Sequence, residues 1–440
     1  MKKLTLFTLI FTFAFSDNLV IYNNNLANIN TKYNFFVNSG VEKKEFANFP
    51  NTIITDSIFV NFSKNIKLLE QSFKPNRAKL SNLLKLNINQ NIKFYPNNSK
   101  ELLSGVLINI NPITVKVDSN YYILNKASQI IYKIYPKSSN YASIIWKIKA
   151  NKEANESATI NYLANGFNWH TNYIVNINNN SLDLKAFATI TNKSGKDYLD
   201  SNISLIAAKI NRQNAPIRIL RKTAAAQPMY DAKEEAIAPQ KLEGYYKYTI
   251  PFNVDLLNQE SKQITLIDAK DIKFKSYGLA YNNNFSNYGK SKLNFTRHIS
   301  FLNKKENNLG LVLPSGVVRV YKNSTYLGEN NIQNTPKNEK LDIAIGDLFD
   351  AVGERKITKY ISKEKYKFIE TTYTLKNQGT TPLTLKIKEN IPRYGNTIKY
   401  QTTCKDICTK KDESAFIKIY TINLKPNSKY SFKSSFEISY

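Results

Sequence analysis

Short segments of β-branched and aromatic residues, each closed by Asn, Pro, Ser or Gly, recur along this chain and restrict it to a fold of many short strands. Leu19-Val-Ile-Tyr22, Thr52-Ile-Ile-Thr55, Ile58-Phe-Val-Asn-Phe62, Asn91-Ile-Lys-Phe-Tyr95, Val106-Leu-Ile-Asn-Ile110 and Ile113-Thr-Val-Lys-Val117 all read this way. Helical spacing is rare. Between Arg77 and Leu86, Leu80, Leu83, Leu84 and Leu86 fall near the i, i+3, i+4 pattern of one short helix packed on a sheet. The expected fold class is mainly β and multi-domain, with few short helices.

Two places repeat one design. Phe187-Ala-Thr-Ile-Thr-Asn-Lys-Ser-Gly195 precedes Ile203-Ser-Leu-Ile-Ala207, and Thr371-Thr-Tyr-Thr-Leu-Lys-Asn-Gln-Gly379 precedes Leu383-Thr-Leu-Lys-Ile387. Each reads as a strand, an Asn-containing turn ending in Gly, and a returning strand, the hairpin grammar of immunoglobulin-like β-sandwiches. At 440 residues the chain has room for two or three domains. The composition shifts place a signal peptide at 1–16, small β units with one short helix at 17–150 and a central β region at 151–211. An exposed loop or linker, with two prolines in its Thr223–Pro239 stretch, follows at 212–243, then a continuation of the central domain at 244–365 and a C-terminal immunoglobulin-like sandwich at 366–440. The polar stretch from Lys149 reads as a connector.

The first residues carry an export address. Met1-Lys2-Lys3 is basic, Leu4 to Phe13 is apolar apart from Thr, and Ala14-Phe15-Ser16 offers small residues for a signal peptidase, so cleavage is expected before Asp17. The apolar run is too short for a stable span, and no later window approaches the roughly 18 apolar residues of a transmembrane helix. In an oxidising compartment Cys404 and Cys408 are expected to pair across a tight loop and shape a local hairpin.

Longer blocks carry a resemblance. Tyr162-Leu-Ala-Asn-Gly-Phe-Asn-Trp-His-Thr-Asn-Tyr173, Leu182-Asp-Leu, Thr189-Ile-Thr-Asn-Lys-Ser-Gly195 and Leu205-Ile-Ala-Ala-Lys-Ile-Asn-Arg212 are followed by Leu313-Pro-Ser-Gly-Val-Val-Arg-Val-Tyr321. Leu327-Gly-Glu329, Thr335-Pro-Lys-Asn-Glu339 and Gly346-Asp-Leu-Phe-Asp350 continue the series. In this order and spacing they resemble an uncharacterised family of exported bacterial β-proteins related to mucoidy inhibitor A. The long coiled coil of the mucoidy inhibitor A relatives has no counterpart here. The resemblance implies an exported, mainly β protein and no known reaction.

The residues that usually carry chemistry are sparse. His170 and His298 are the only imidazoles, and their separation matches no metal-ligand spacing. No metal or cofactor is therefore expected. Tyr162, Trp169, His170 and Tyr173 have two readings, a ligand grip and the core filling for which alternating aromatics more often serve. The acids Glu329, Glu339, Asp342, Asp347, Asp350 and Glu354 lie close in sequence, as paired glycosidase carboxylates or calcium ligands would, yet they lack the alternating pattern of a calcium loop. Capping turns and pairing with nearby lysines is their commoner use. Ser315 lies in Pro314-Ser-Gly316, a turn without the Gly-x-Ser-x-Gly context of a hydrolase nucleophile.

Charge is the remaining clue. Sixty-two Lys and Arg against 34 Asp and Glu give +28, a field that attracts polyanions. The basic residues are spread over every segment, and an export signal leads away from cytosolic nucleic acid, so nucleic acid is not the expected partner. The reading is a non-enzymatic exported envelope protein, periplasmic or at the outer-membrane periphery or cell surface, binding another envelope protein or an anionic polymer. Its rival is a glycan hydrolase working through Asp347 and Asp350.

Overall fold

The computed structural model describes residues 16–75, 80–134, 141–207, 240–242, 245–283, 285, 289–391 and 397–439. The fold is mainly β and built from several separate sheets. The expected leader, Ser16 apart, lies outside the described residues, as does the expected linker except for Gln240–Leu242, which form a strand. The protein divides into two compact units that interleave in sequence. Unit 1 takes Met1–Trp169, Ile190–Lys233 and Gln240–Lys262, and unit 2 takes His170–Thr189, Glu234–Pro239 and Gln263–Tyr440.

Unit 1 holds three sheets. The largest includes Tyr198–Ala207, Asn18–Tyr22, Leu26–Val37 and Ala154–Ala164 as neighbours, the first pair parallel and the others antiparallel. Ala142–Ala150 lies between Gly40–Phe49 and Ile66–Lys74 in a three-stranded sheet. In a five-stranded sheet Asn91–Phe94, Leu103–Ile110, Ile113–Val117 and Asn120–Leu124 form a meander, and Ile130–Ile131 pairs with Asn91–Phe94 at its edge. The helix forms over Leu80–Leu86, and its buried Leu84 joins Phe94, Leu107 and Val115 in the core under this meander.

In unit 2, Ser261–Asn282 pairs in parallel with Leu383–Asn390 and antiparallel with Thr296–Leu302, which pairs in turn with Lys340–Asp347. A second sheet runs Lys290–Leu293, Ala351–Lys363, Tyr366–Asn377, Lys429–Ser439, Thr397–Thr402. Their facing surfaces bury Leu375, Leu385, Ile387, Ile422 and Phe432. Alternation explains the division of labour. Successive side chains of a strand point to opposite faces, so every second residue enters the core while the others stay polar.

Four sequence readings need correction. Thr52–Thr55 is not a strand: Ile53 makes one isolated bridge to Ala164, and the chain turns at once into the 3-10 turn Thr55–Ser57. The stretch after Lys149 is a tight turn between Ala142–Ala150 and Ala154–Ala164, its polar residues occupying the outward positions of strands. The two repeated designs are not hairpins. Ser181–Asn192 and Tyr198–Ala207 belong to different sheets, and so do Tyr366–Asn377 and Leu383–Asn390.

The cause is the same buried asparagine at both corners. The Asn192 Oδ1 accepts from the Ser194 N–H at 3.0 Å while its Nδ2 donates to the carbonyls of Lys196 at 2.8 Å and Leu256 at 3.1 Å. Asn377 accepts from the Gly379 N–H at 3.0 Å and donates to Thr381 at 2.8 Å and Lys425 at 3.0 Å. Each amide replaces the ladder bonds that a two-residue hairpin would supply, so the chain leaves one sheet and enters another. Finally, the Cys404–Cys408 disulfide exists, with Cα atoms 5.2 Å apart, but it shapes no hairpin. The flanking strands Thr397–Thr402 and Cys408–Ser414 lie in different sheets, so the bond staples a crossover.

Candidate functional site

The register of unit 2 gathers one polar sheet face from four strands distant in sequence. Tyr277 stands opposite His298, Lys275 opposite Ser300, and Ser300 opposite Asp342. Lys386 enters from the parallel neighbour, opposite Leu279. Residues paired across a sheet share a face, so Lys275, Tyr277, His298, Asp342 and Lys386 all project to the same side.

Asp342 is the node of this face. His298 Nδ1 lies 2.8 Å from its Oδ1, the Tyr277 hydroxyl donates to its Oδ2, and Lys340 Nζ lies 3.4 Å away. Partial burial pushes the Asp342 carboxyl up, but the bonds from His298 and Tyr277 and the Lys340 charge outweigh it and hold the group below its ordinary value. The Tyr277 hydroxyl is pushed above its ordinary range by burial and by Asp342. Its ring stacks on His298 with centroids 5.3 Å apart, and Lys386 Nζ sits 3.6 Å from the ring centre.

Beside this node opens a groove of about 550 Å³ lined by Lys273, Lys275, Lys304, Lys340 and Lys386, with Phe301 and Leu302 as apolar lining and Glu306 as an acid in the same lining. Among the described residues, only Lys340 of these five lysines forms an ion pair with an acid. Burial and the nearby Lys340 and Lys275 charges push the Lys386 ammonium below its ordinary value, against the pull of Asp342. The wall is built by asparagine amides. Asn307, in the turn Lys305–Asn307, accepts from the Lys273 N–H at 2.8 Å and donates to the carbonyls of Lys273 at 3.1 Å and Leu302 at 3.0 Å. It thereby acts as an extra strand residue and fixes the turn against the sheet. Asn308 takes a left-handed conformation with φ 57°, which asparagine tolerates.

The residues singled out from the sequence lie elsewhere, Asp342 excepted. Tyr162, Trp169 and Tyr173 are buried core side chains. The Trp169 indole donates to the Ile206 carbonyl at 3.1 Å and the Tyr173 hydroxyl to the Pro314 carbonyl at 2.6 Å. His170 occupies the opposite, exposed side of its strand Phe167–Ile177, away from the three aromatics. Glu329 pairs with Arg319 at 3.0 Å on the surface. Asp347 and Asp350 are both exposed, and a hollow of about 380 Å³ takes Asp347 but not Asp350 into its lining. The lysines of the groove escaped sequence reading because they come from three strands and a turn. The one local signal was alternation, Lys273-x-Lys275 and Lys386-x-Lys388, which puts like charges on one face.

Two further polar clusters are buried. In unit 1, Lys196 Nζ meets Asp17 Oδ2 at 2.9 Å, and the Thr31 hydroxyl donates to the same carboxylate. In unit 2, the fully buried Glu389 accepts hydroxyls from Tyr373 at 2.5 Å, Ser434 at 2.7 Å, Tyr420 at 2.9 Å and Tyr400 at 3.3 Å. Burial raises its carboxyl above the ordinary value, and the hydroxyls oppose that rise without reversing it.

Fold and site together define a mainly β protein with a lysine-lined groove on a sheet face. The chain belongs to the family defined by DUF4139, a domain of unknown function, which matches residues 158–440. The match takes in the whole groove. A search of curated proteins finds no match.

Proposed function

We propose that this protein is an exported, non-enzymatic binding module that holds an anionic polymer of the cell envelope in the lysine groove of unit 2. The observation that carries this reading is the set of Lys273, Lys275, Lys304 and Lys386, which line one recess without a described acid paired to any of them. Unpaired like charges held together repel one another, and a bound polyanion relieves that repulsion. The apolar wall of Phe301 and Leu302 adds a surface for the carbon skeleton of such a ligand. No helix of the described residues is long and apolar enough to cross a membrane. Export before Asp17 belongs to the same proposal, and N-terminal sequencing of protein recovered from the envelope of the native host checks it.

The binding test is a titration of the full chain with an acidic polysaccharide such as polygalacturonate, against neutral dextran, over a range of salt. The expected result is saturable binding to the acidic polymer alone, weakening as salt rises, with K340E/K386E reducing affinity by about tenfold or more. Binding unchanged in K340E/K386E refutes the groove. The rival hydrolase has no comparable support, because Asp347 and Asp350 do not line one cleft.

A further inference from the structure

The groove is not uniformly basic. At its inner end the ammonium groups of Lys340 and Lys386 converge on one ring, 6.0 Å and 3.6 Å from the centre of Tyr277. Lys275 stands on the same strand and the same face, one alternation before Tyr277. Lys340 Nζ lies 3.4 Å from one carboxylate, Asp342, which already accepts from Tyr277 and His298, and the Lys275 and Asp342 charges both act on the Lys386 ammonium. Lys273 and Lys304 line the same groove.

Two features of the inner end select its ligand. Three cations against one anion leave a surplus that a single carboxylate does not cancel, whereas a dianion does. All three cations are lysines, compact point charges that approach a tetrahedral oxyanion from separate directions, while the planar fork that matches a carboxylate edge belongs to arginine. Among the described residues, no arginine lines the groove. We infer that Lys275, Lys340 and Lys386 form a subsite for a phosphate monoester group carried by the ligand, with Tyr277 as its floor. This rests on the groove reading above and names the chemical group that anchors the polymer. Burial first, and then the crowding by Lys340 and Lys275, lowers the Lys386 ammonium.

Here His298 and Tyr277 orient Asp342. The imidazole and the Tyr277 hydroxyl occupy both carboxylate oxygens, which keeps Asp342 turned toward Tyr277.

The test is a set of calorimetric titrations of the full chain with inorganic phosphate, glucose 1-phosphate and acetate at matched ionic strength, repeated on K386A, K340A and K304A. The expected result is saturable phosphate and glucose 1-phosphate binding at least about tenfold tighter than acetate. K386A and K340A lose that preference, and K304A keeps it while weakening polymer binding. Vesicles containing phosphatidic acid distinguish the source of the group: binding to them in place of the sugar phosphate assigns the same subsite to a lipid headgroup. Phosphate and acetate binding equally, with polygalacturonate still held by the groove, overturns the phosphate subsite and leaves the groove standing. Loss of binding to every anion overturns both. Circular dichroism of K386A guards against misfolding, and K386Q, which keeps the stem over Tyr277, is the second variant.

Discussion

Asp342 and Glu389 are two carboxylates of the same unit, each held by tyrosine hydroxyls, and they are displaced in opposite directions. Glu389 is fully buried, accepts four hydroxyls and has no cation bonded to it among the described residues. Its carboxyl rises. Asp342 is only partly buried, and beside its one tyrosine it has His298 and Lys340. Its carboxyl falls. Neutral donors do not repay the loss of water around a fully buried charge, whereas a nearby cation and residual hydration do. The first arrangement suits a structural lock. The second suits a surface that must remain charged and reachable.

The sharpest way to break the lock is Glu389→Ala. It leaves the hydroxyls of Tyr373, Tyr400, Tyr420 and Ser434 without their shared acceptor and opens a void, so a loss of about 4 kcal/mol is expected in chemical denaturation. Glu389→Gln keeps the volume and one acceptor oxygen, and about 2 kcal/mol is expected. Glutamine also removes a titration. A group whose folded pKa is raised contributes stability that is present below its ordinary value of 4.5 and lost as pH rises through the folded value. Wild-type stability should therefore decline relative to the glutamine variant from about pH 4.5 upward. Parallel curves across that range would show that the cage holds Glu389 ionised.

The disulfide offers a control within the same core, since Cys408 packs with Tyr373 and Tyr420 and Cys404 lies against them. Replacing both cysteines by serine should cost about 2 kcal/mol, the chain-entropy value for so short a ring. Binding at the lysine groove should be unchanged. A loss of anion affinity in this variant would mean that the lock and the groove are one cooperative element.

How much of this was legible in the sequence follows from the range of the interactions. Strands such as Asn18–Tyr22 and Ile113–Val117 are local patterns, and so is the disulfide, whose partners lie four residues apart. The buried corners at Asn192 and Asn377 show as a repeat, but nothing local says that each amide reaches Leu256 or Lys425 and so redirects the chain between sheets. Asp342 stood among six acids in one stretch, and only strand register distinguishes it, by placing it beside Ser300 and within reach of Tyr277 and His298. Glu389 looks from the sequence like one more acid in a lysine-rich strand. Its burial depends on tyrosines and a serine from four other strands and could not be read before those strands were in place.

The smallest expected effect is the most telling one, because Asp342→Asn should move stability and binding in opposite directions. Asparagine keeps an acceptor for Tyr277 but loses the charge that favours the Lys340 pair, and at this half-exposed site a cost of about 1 kcal/mol is expected. A group whose folded pKa is lowered contributes stability that is present above its ordinary value of 3.8 and lost as pH falls through the folded value. The acid limb of the wild type, below about pH 3.8, should therefore be steeper than that of the variant. Removing the carboxylate beside Lys340 and Lys386 meanwhile makes this part of the groove more positive. Phosphate affinity at neutral pH should rise by about fivefold, the equivalent of ~1 kcal/mol for unit charges about 4 Å apart in water. A variant that loses stability and phosphate affinity together would make Asp342 a support for the subsite geometry, and the opposition between a buried lock and a charged, reachable surface would no longer hold.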